Sequence, residues 1–294
     1  MKTIRVRVPS LTAVTMDTVF AEAAALGDGP ADGGAEFRLS LEDVKFIDPY
    51  GLVALWGVLR YLKRRYRAVV VVPPTDPELQ GYLHRMNFPA VTAPIAVLDG
   101  SVGGRGATGP SDVLLELTPI EQQADVEQVL RTVLGRIRRI LERELGYGER
   151  DVTAFCTVLA EACANICDHS EDIGVVAAQR YTQRGGTRYV IVGVADLGIG
   201  IRQSLATRYR HAARWSHIQA IVNALQKEYS RHPDRGLGLF MVSKIVGAYR
   251  GSLHLRSGDA RLYLRHRARR LAASPFPGTQ LAISLSARGA QKRP

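Results

Sequence analysis

Cysteine is scarce in this sequence, with only Cys156, Cys163 and Cys167 among 294 residues. No second group of Cys or His stands ready to complete a four-ligand zinc site, so three closely spaced cysteines on one helix read as buried, unpaired thiols. Long hydrophobic runs are missing as well. No stretch approaches the roughly 18–20 apolar residues of a membrane span, and the opening MKTIRVRVPSLTAV lacks an apolar core followed by a small-residue cleavage site. A cytoplasmic protein without a membrane partner is expected. The loop GxxxxGK[ST] does not occur, which excludes a P-loop nucleotide site. Internal repeats, zinc fingers, aromatic RNA-binding motifs and a clear recognition helix are absent too, so nucleic acid is not the expected partner.

What remains is the composition of a globular protein, 46% hydrophobic and 23% charged, long enough for one large domain or two ordinary ones. Its 39 Lys and Arg against 28 Asp and Glu leave a net charge of +11, which favours polyanionic partners in general. Residues 4–9, 36–41, 45–47 and 69–72 are apolar or alternating and read as strands. Leu52, Leu55, Leu59 and Leu62 recur at helical spacing within residues 51–66. Pro73, Pro74 and Pro77 then force a turn before a short helix at 78–86. Residues 99–112, DGSVGGRGATGPSD, offer almost nothing to bury and read as a linker between residues 1–98 and residues 113–294. The second part opens with a strand at 113–117. A long amphipathic helix follows over 121–145, its Arg136, Arg138, Arg139 and Arg143 reading as a solvated basic face. Further helices are expected at 151–169, 213–229 and 238–248, and strands at 189–194, 252–255, 260–264 and 280–285. The fold class is therefore α/β, with a layered sandwich in the second part.

Three small signals in that part carry chemistry. In EACANICDH, Glu161, Asn165 and His169 follow at i, i+4 and share one helix face. A carboxylate and an amide oxygen on adjacent turns suit positioning a nucleophile and completing a magnesium shell, although surface helices carry such trios without function. Asp196, Gly198 and Gly200 come directly after the apolar strand, and alternating glycines let backbone approach a flat ligand or a phosphate. Asp196 reads equally as a turn cap. Arg235, Gly236, Leu237 and Gly238 precede an apolar helix whose first N–H groups could hold phosphate oxygens. A fourth segment, GTQLAISL from Gly278, places Thr279 at the head of the last strand, where it reads equally as an ordinary β-former.

In this order the segments resemble the N box, G1 box, G2 box and final strand of the Bergerat-type ATP-binding fold, shared by histidine kinases, anti-sigma-factor serine kinases, MutL and type II topoisomerases. The resemblance covers about residues 111–287 and implies a two-layer α/β sandwich that binds ATP with Mg. It makes Glu161 the catalytic base and Asn165 the magnesium ligand. Asp196 would bind the adenine amine, and Gly198 and Gly200 would make room for the base and the start of a lid. Arg235, Gly236, Leu237 and Gly238 would face the phosphates, and Thr279 would support the adenine contact. Residues 201–235 are long enough for a helical lid, from which Lys227, Arg231 and Arg235 could approach the triphosphate. Residues 265–277 read as a basic insertion in the closing hairpin, either a partner surface or a solvated loop.

Residues 46–55, FIDPYGLVAL, with the helix and the AVVVVPP strand after them, resemble a STAS domain of the anti-sigma-factor antagonist type over about residues 1–95. In that family a serine stands immediately before the glycine. Here Tyr50 precedes Gly51, so the usual serine switch is missing, and Tyr50 is either a plain loop aromatic or a plug against the ATP-binding part. The fusion implies a regulatory protein of a partner-switching pathway, acting on a separate STAS protein or sigma factor, with a homodimer as a further arrangement. Two activities stay open: serine/threonine protein kinase, and ATP-gated switch or slow ATPase without transfer to protein.

Overall fold

The structure is a computed structural model that describes residues 2–27, 35–100, 113–122, 127, 131, 138–143, 145–153, 156, 159, 160, 163, 166, 173–183, 185–227, 229, 238–249, 251–265 and 267–287. Strands β1 (Lys2–Arg5), β3 (Glu36–Ser40), β5 (Ala68–Val72) and β6 (Val97–Leu98) form a parallel sheet in the order β1-β3-β5-β6. Short β2 (Ser10–Leu11) and β4 (Phe46–Ile47) pair beside it. The links between the parallel strands are α1 (Met16–Ala24), α2 (Pro49–Lys63), and α3 (Pro77–Arg85) with α4 (Phe88–Thr92). Strands β7 (Val113–Ile120), β8 (Gly174–Thr182), β9 (Arg188–Ala195), β10 (Ser252–Leu264) and β11 (Ala268–Ser286) form an antiparallel sheet in the order β10-β11-β9-β8-β7. Helices α5 (Gly200–Ala206), α6 (His217–Ala224) and α7 (Gly238–Ala248) complete the chain, with a 3-10 turn at Arg210–Arg214 between the first two. The architecture is mixed α/β. Among the described residues no helix is long and apolar enough to cross a membrane. Cys156 and Cys163 are buried free thiols; of the linker expected at 99–112, Asp99 is tied to the first sheet through Val71 and Arg38, and residues 101–112, like Cys167, lie outside the described residues.

Helix α2 starts at Pro49, two residues earlier than its leucine spacing indicates, because local chemistry sets the start. The Asp48 carboxylate accepts the Gly51 N–H at 2.7 Å, and Pro49 occupies the first helical position, where its missing donor is not needed. Asp76 and Pro77 start α3 in the same way. The helix expected over 213–229 is confined to 217–224. Trp215 is extended, and a capping box between Ser216 and Gln219 begins a new helix there.

Strand β8, which the sequence pattern did not reveal, is covered on both faces over Gly174–Ala178 and so lacks polar alternation. Val175 and Ala177 belong to a core shared with the first sheet and its helices. Val176 and Ala178 belong to a second core with Leu141, Leu159, Ile221 and Val246. Strand β9 divides likewise, Ala195 facing one side and Val190, Val192 and Val194 the other. Helices α1 and α2 therefore lie between the two sheets, packed on the face of the second sheet opposite its own helices. That placement explains why 13 of the 15 residues of α2 are buried: a helix with sheet on both sides has little face left for water.

The close approach depends on a row of small residues. Ala177, Gly193 and Ala282 are register neighbours on β8, β9 and β11, and His254 on β10 ends the row. A Cβ on Gly193 would stand 2.6 Å from the Pro49 carbonyl oxygen and 2.9 Å from the Tyr50 Cα. Glycine inside a strand here marks a backbone passing directly above. Gly193→Ala should cost about 1–3 kcal/mol in chemical denaturation. Gly185→Ala, whose added carbon meets nothing within 4 Å, should stay near wild type; equal effects would refute this account of the interface.

Candidate functional site

At the end of β9 the chain leaves the sheet through Asp196. Its Oδ1 accepts the Gly198 N–H at 2.7 Å and the Thr279 N–H at 3.2 Å. The Asp196 N–H donates to the Thr279 carbonyl at 3.0 Å, and Gln280 Nε2 donates to the Asp196 carbonyl at 3.2 Å. Asp196 thus ties the glycine turn to the head of the paired stretch of β11, and its role as a turn cap is part of the geometry. Gly278 has φ +76°, and a Cβ there would collide with the Asp196 carbonyl; Gly200 has φ +74°, and its Cβ would meet Ser257 Oγ at 2.8 Å. Ser257 accepts the Ile201 N–H at 2.9 Å and donates to the Gly278 carbonyl at 3.2 Å, fastening the start of α5 to the same corner. Nothing in the sequence distinguishes Ser257 from any other strand serine.

The structure therefore brings Asp196, Gly198, Gly200 and Thr279 together at one sheet corner, and Gly238 begins α7. Glu161, Asn165, His169, Arg231, Arg235, Gly236 and Leu237 lie outside the described residues. Much of the segment expected as a lid is anchored. Ile201, Leu205, Ala212, Ala220 and Ile221 are buried in the second core, while Trp215 and Tyr209 pack their rings against Tyr229 at 5.2 and 5.4 Å. Among the described residues no group of three or more His, Cys, Asp or Glu is placed to hold a metal.

The residues that resemble a STAS phosphorylation loop point inward. Tyr50 is 1% exposed and meets the His254 ring edge-on at 5.2 Å, so it packs as a plug against the second sheet. Burial raises its hydroxyl pKa, and burial with the nearby Arg261 and Arg256 cations lowers His254 to about 4, leaving a neutral imidazole. Beside them Arg256, 1% exposed, donates to Gln280 Oε1 at 3.2 Å and to the Ser274 carbonyl, lies 3.6 Å from Asp17, and covers the Phe20 ring at 4.3 Å.

Burial pushes the Asp48 carboxyl up to about 7, against smaller lowering by the Gly51 and Tyr50 N–H groups. The folded state therefore holds a proton that the unfolded chain releases near 3.8. The associated stability is complete below that value and is lost as the pH rises through about 7. Asp48→Asn keeps the helix cap, so its melting temperature should gain on wild type as the pH is raised from 4 to 8; parallel melting curves across that range would refute the buried, protonated carboxyl.

No protein-family model matches this sequence, and no curated protein matches it. Among solved structures the chain is similar to a mycobacterial sensor histidine kinase, MprB, at 18% identity and a TM-score of 0.30, over 58% of this chain and 97% of that one. At that level of identity and superposition the likeness assigns neither activity nor ligand.

Proposed function

We propose that this chain is a Mg-ATP-binding regulatory protein of the anti-sigma-factor kinase style. In this reading residues 1–98 form a STAS-like regulatory unit, 99–112 a linker and 113–294 a Bergerat-type ATP-binding unit. The observation that carries it is the corner where Asp196, held by the Gly198 and Thr279 N–H groups, meets Gly200 at the head of α5. Two N–H groups orient the carboxylate, and a carboxylate oxygen is the kind of acceptor that an exocyclic amine needs. In this reading the corner would receive a flat, amine-bearing base. Asn165 would hold Mg, which when bound neutralises charge on the phosphate oxygens. Arg235 and the Gly236, Leu237 and Gly238 backbone would hold the phosphate end, where a guanidinium can pair two oxygens. Glu161 would orient or deprotonate a hydroxyl for in-line attack on the γ-phosphate. The acceptor would belong to a separate regulatory protein, such as a STAS protein or a sigma factor, because Tyr50 is buried.

One contact favours the second reading, a nucleotide-gated interaction switch or slow ATPase. Leu197, inside the glycine turn, is buried in the core shared with α2, and its Cδ2 lies 3.8 Å from where a Cβ of Gly57 would stand. A ligand that moves the turn is felt directly by the helix between the sheets.

Isothermal titration with ATP and Mg, with parallel assays for ADP and phosphoprotein, tests both readings. Wild type should bind. Asp196→Ala should weaken binding about tenfold or more, roughly 1.4 kcal/mol, and Asn165→Ala should remove the magnesium dependence. Phosphate transferred to a separate STAS protein selects the kinase, and nucleotide-dependent partner binding without transfer selects the switch. No wild-type binding would sink both.

A further inference from the structure

From Ala268 onward the residues that read as a basic insertion are strand rather than loop. Ala268–Ser286 is one strand, and residues 268–272 pair with 260–264, so β10 and β11 continue as a two-stranded ribbon beyond a register shift around Gly258. Its charge is one-sided. Residues 260–286 contain five arginines and no lysine, aspartate or glutamate. Arg265, Arg267, Arg269 and Arg270 are exposed and make no ion pair with any described residue. Nearby acids are engaged: Asp259 lies 2.6 Å from His217, and Asp17 holds Arg261 at 3.7 Å.

The register sorts the side chains. Tyr263 is opposite Arg269 and Arg261 opposite Leu271, and directly opposed residues share a face. Arg270, opposite Leu262, belongs to the other face, and Arg265 and Arg267 flank the turn beyond the last paired residues. On the other face Leu262 is 2% exposed and Leu264 packs against the second core. Leu262 and Leu264 pack on the body, while Arg265, Arg267, Arg269 and Arg270 at the far end of the ribbon are exposed to solvent. A docking surface for a folded protein would need an apolar or aromatic centre; here only Leu271, 43% exposed, and the half-buried Tyr263 are available. Insertion into a membrane surface would need a free apolar face, which Leu262 and Leu264 do not leave. A polyanion bound mainly through its phosphates needs neither.

We propose that the β10–β11 ribbon is a nucleic-acid-binding arm, gripping backbone phosphates through Arg265, Arg267, Arg269 and Arg270. A two-stranded ribbon fits the duplex major groove, about 12 Å wide, and recognition is by charge rather than by base sequence. The site is separate from the ATP corner and does not depend on nucleotide binding there.

Fluorescence anisotropy of labelled single- and double-stranded oligonucleotides, titrated with the full chain over a salt series, tests the proposal. Wild type should bind at low salt with affinity falling log-linearly. Replacing the four arginines with alanine should cost about tenfold or more at low salt and flatten the salt slope by about 3 to 4. Replacing them with lysine should keep the slope, which guards against a folding defect. Replacing the exposed Lys2, Arg7, Lys45 and Arg67 with alanine removes the same charge elsewhere and should leave most of the binding. Absent wild-type binding, equal losses in the ribbon and control variants, or retention on anionic vesicles without oligonucleotide binding would each overturn it.

Discussion

Helix α2 has to fit between two sheets, and the rest of the molecule accommodates that constraint. A surface helix keeps a polar face, but α2 has water only near its C-terminal end, where Arg60 and Lys63 complement the helix dipole. At the other end its first turn lies directly on β9. That approach requires Gly193 and is eased by the small neighbours Ala177 and Ala282. The same turn is pressed from the opposite side: a Cβ on Gly51 would overlap the Leu11 carbonyl, so β2 and β9 clamp the start of the helix between them. Asp48, which caps that start, is buried as a consequence, and its protonation follows from its place in the interface.

The interface is apolar around α2 and polar at its edge. Arg256 lies beneath Phe20 and Phe276, with hydrogen bonds to Gln280 and Ser274 and the Asp17 carboxylate nearby. Desolvation lowers its pKa, with Tyr50 and Asp17 opposing, but a guanidinium remains charged. A buried pair of this kind adds little net stability, while loss of either partner would strand the other charge. The Tyr50 hydroxyl and both His254 nitrogens are buried without a hydrogen-bond partner among the described residues. The interface therefore carries a polar cost, offset by the apolar area that α1 and α2 remove from water.

This arrangement bears on how the proposed activity would be controlled. Asp196 follows directly on β9, three residues after Gly193, so the corner proposed for nucleotide and the groove that seats α2 share a backbone. The position where antagonists of the STAS type carry a serine holds a tyrosine turned into the protein. Regulation would then act through the packing of α2 rather than through modification of its first turn.

Local signals were strong enough to predict several elements. Leucine spacing marked α2, the prolines the approach to α3, and the apolar strand followed by Asp196 and glycines the corner that the structure assembles around Thr279. Other features depended on neighbours distant in sequence. Strand β8 did not alternate because both its faces are covered, residues 268–277 of the basic segment are strand because β10 pairs with 268–272 and Phe276, and Ser257 joins the corner only through Ile201 and Gly278. The sequence by itself determined helix caps, turn glycines and charge distribution, since these act between residues close along the chain. Only the tertiary structure decided that α2 has two buried sides, that Tyr50 faces His254, and that a paired ribbon carries Arg265, Arg267, Arg269 and Arg270 into solvent, because burial and register are set by which distant segments meet.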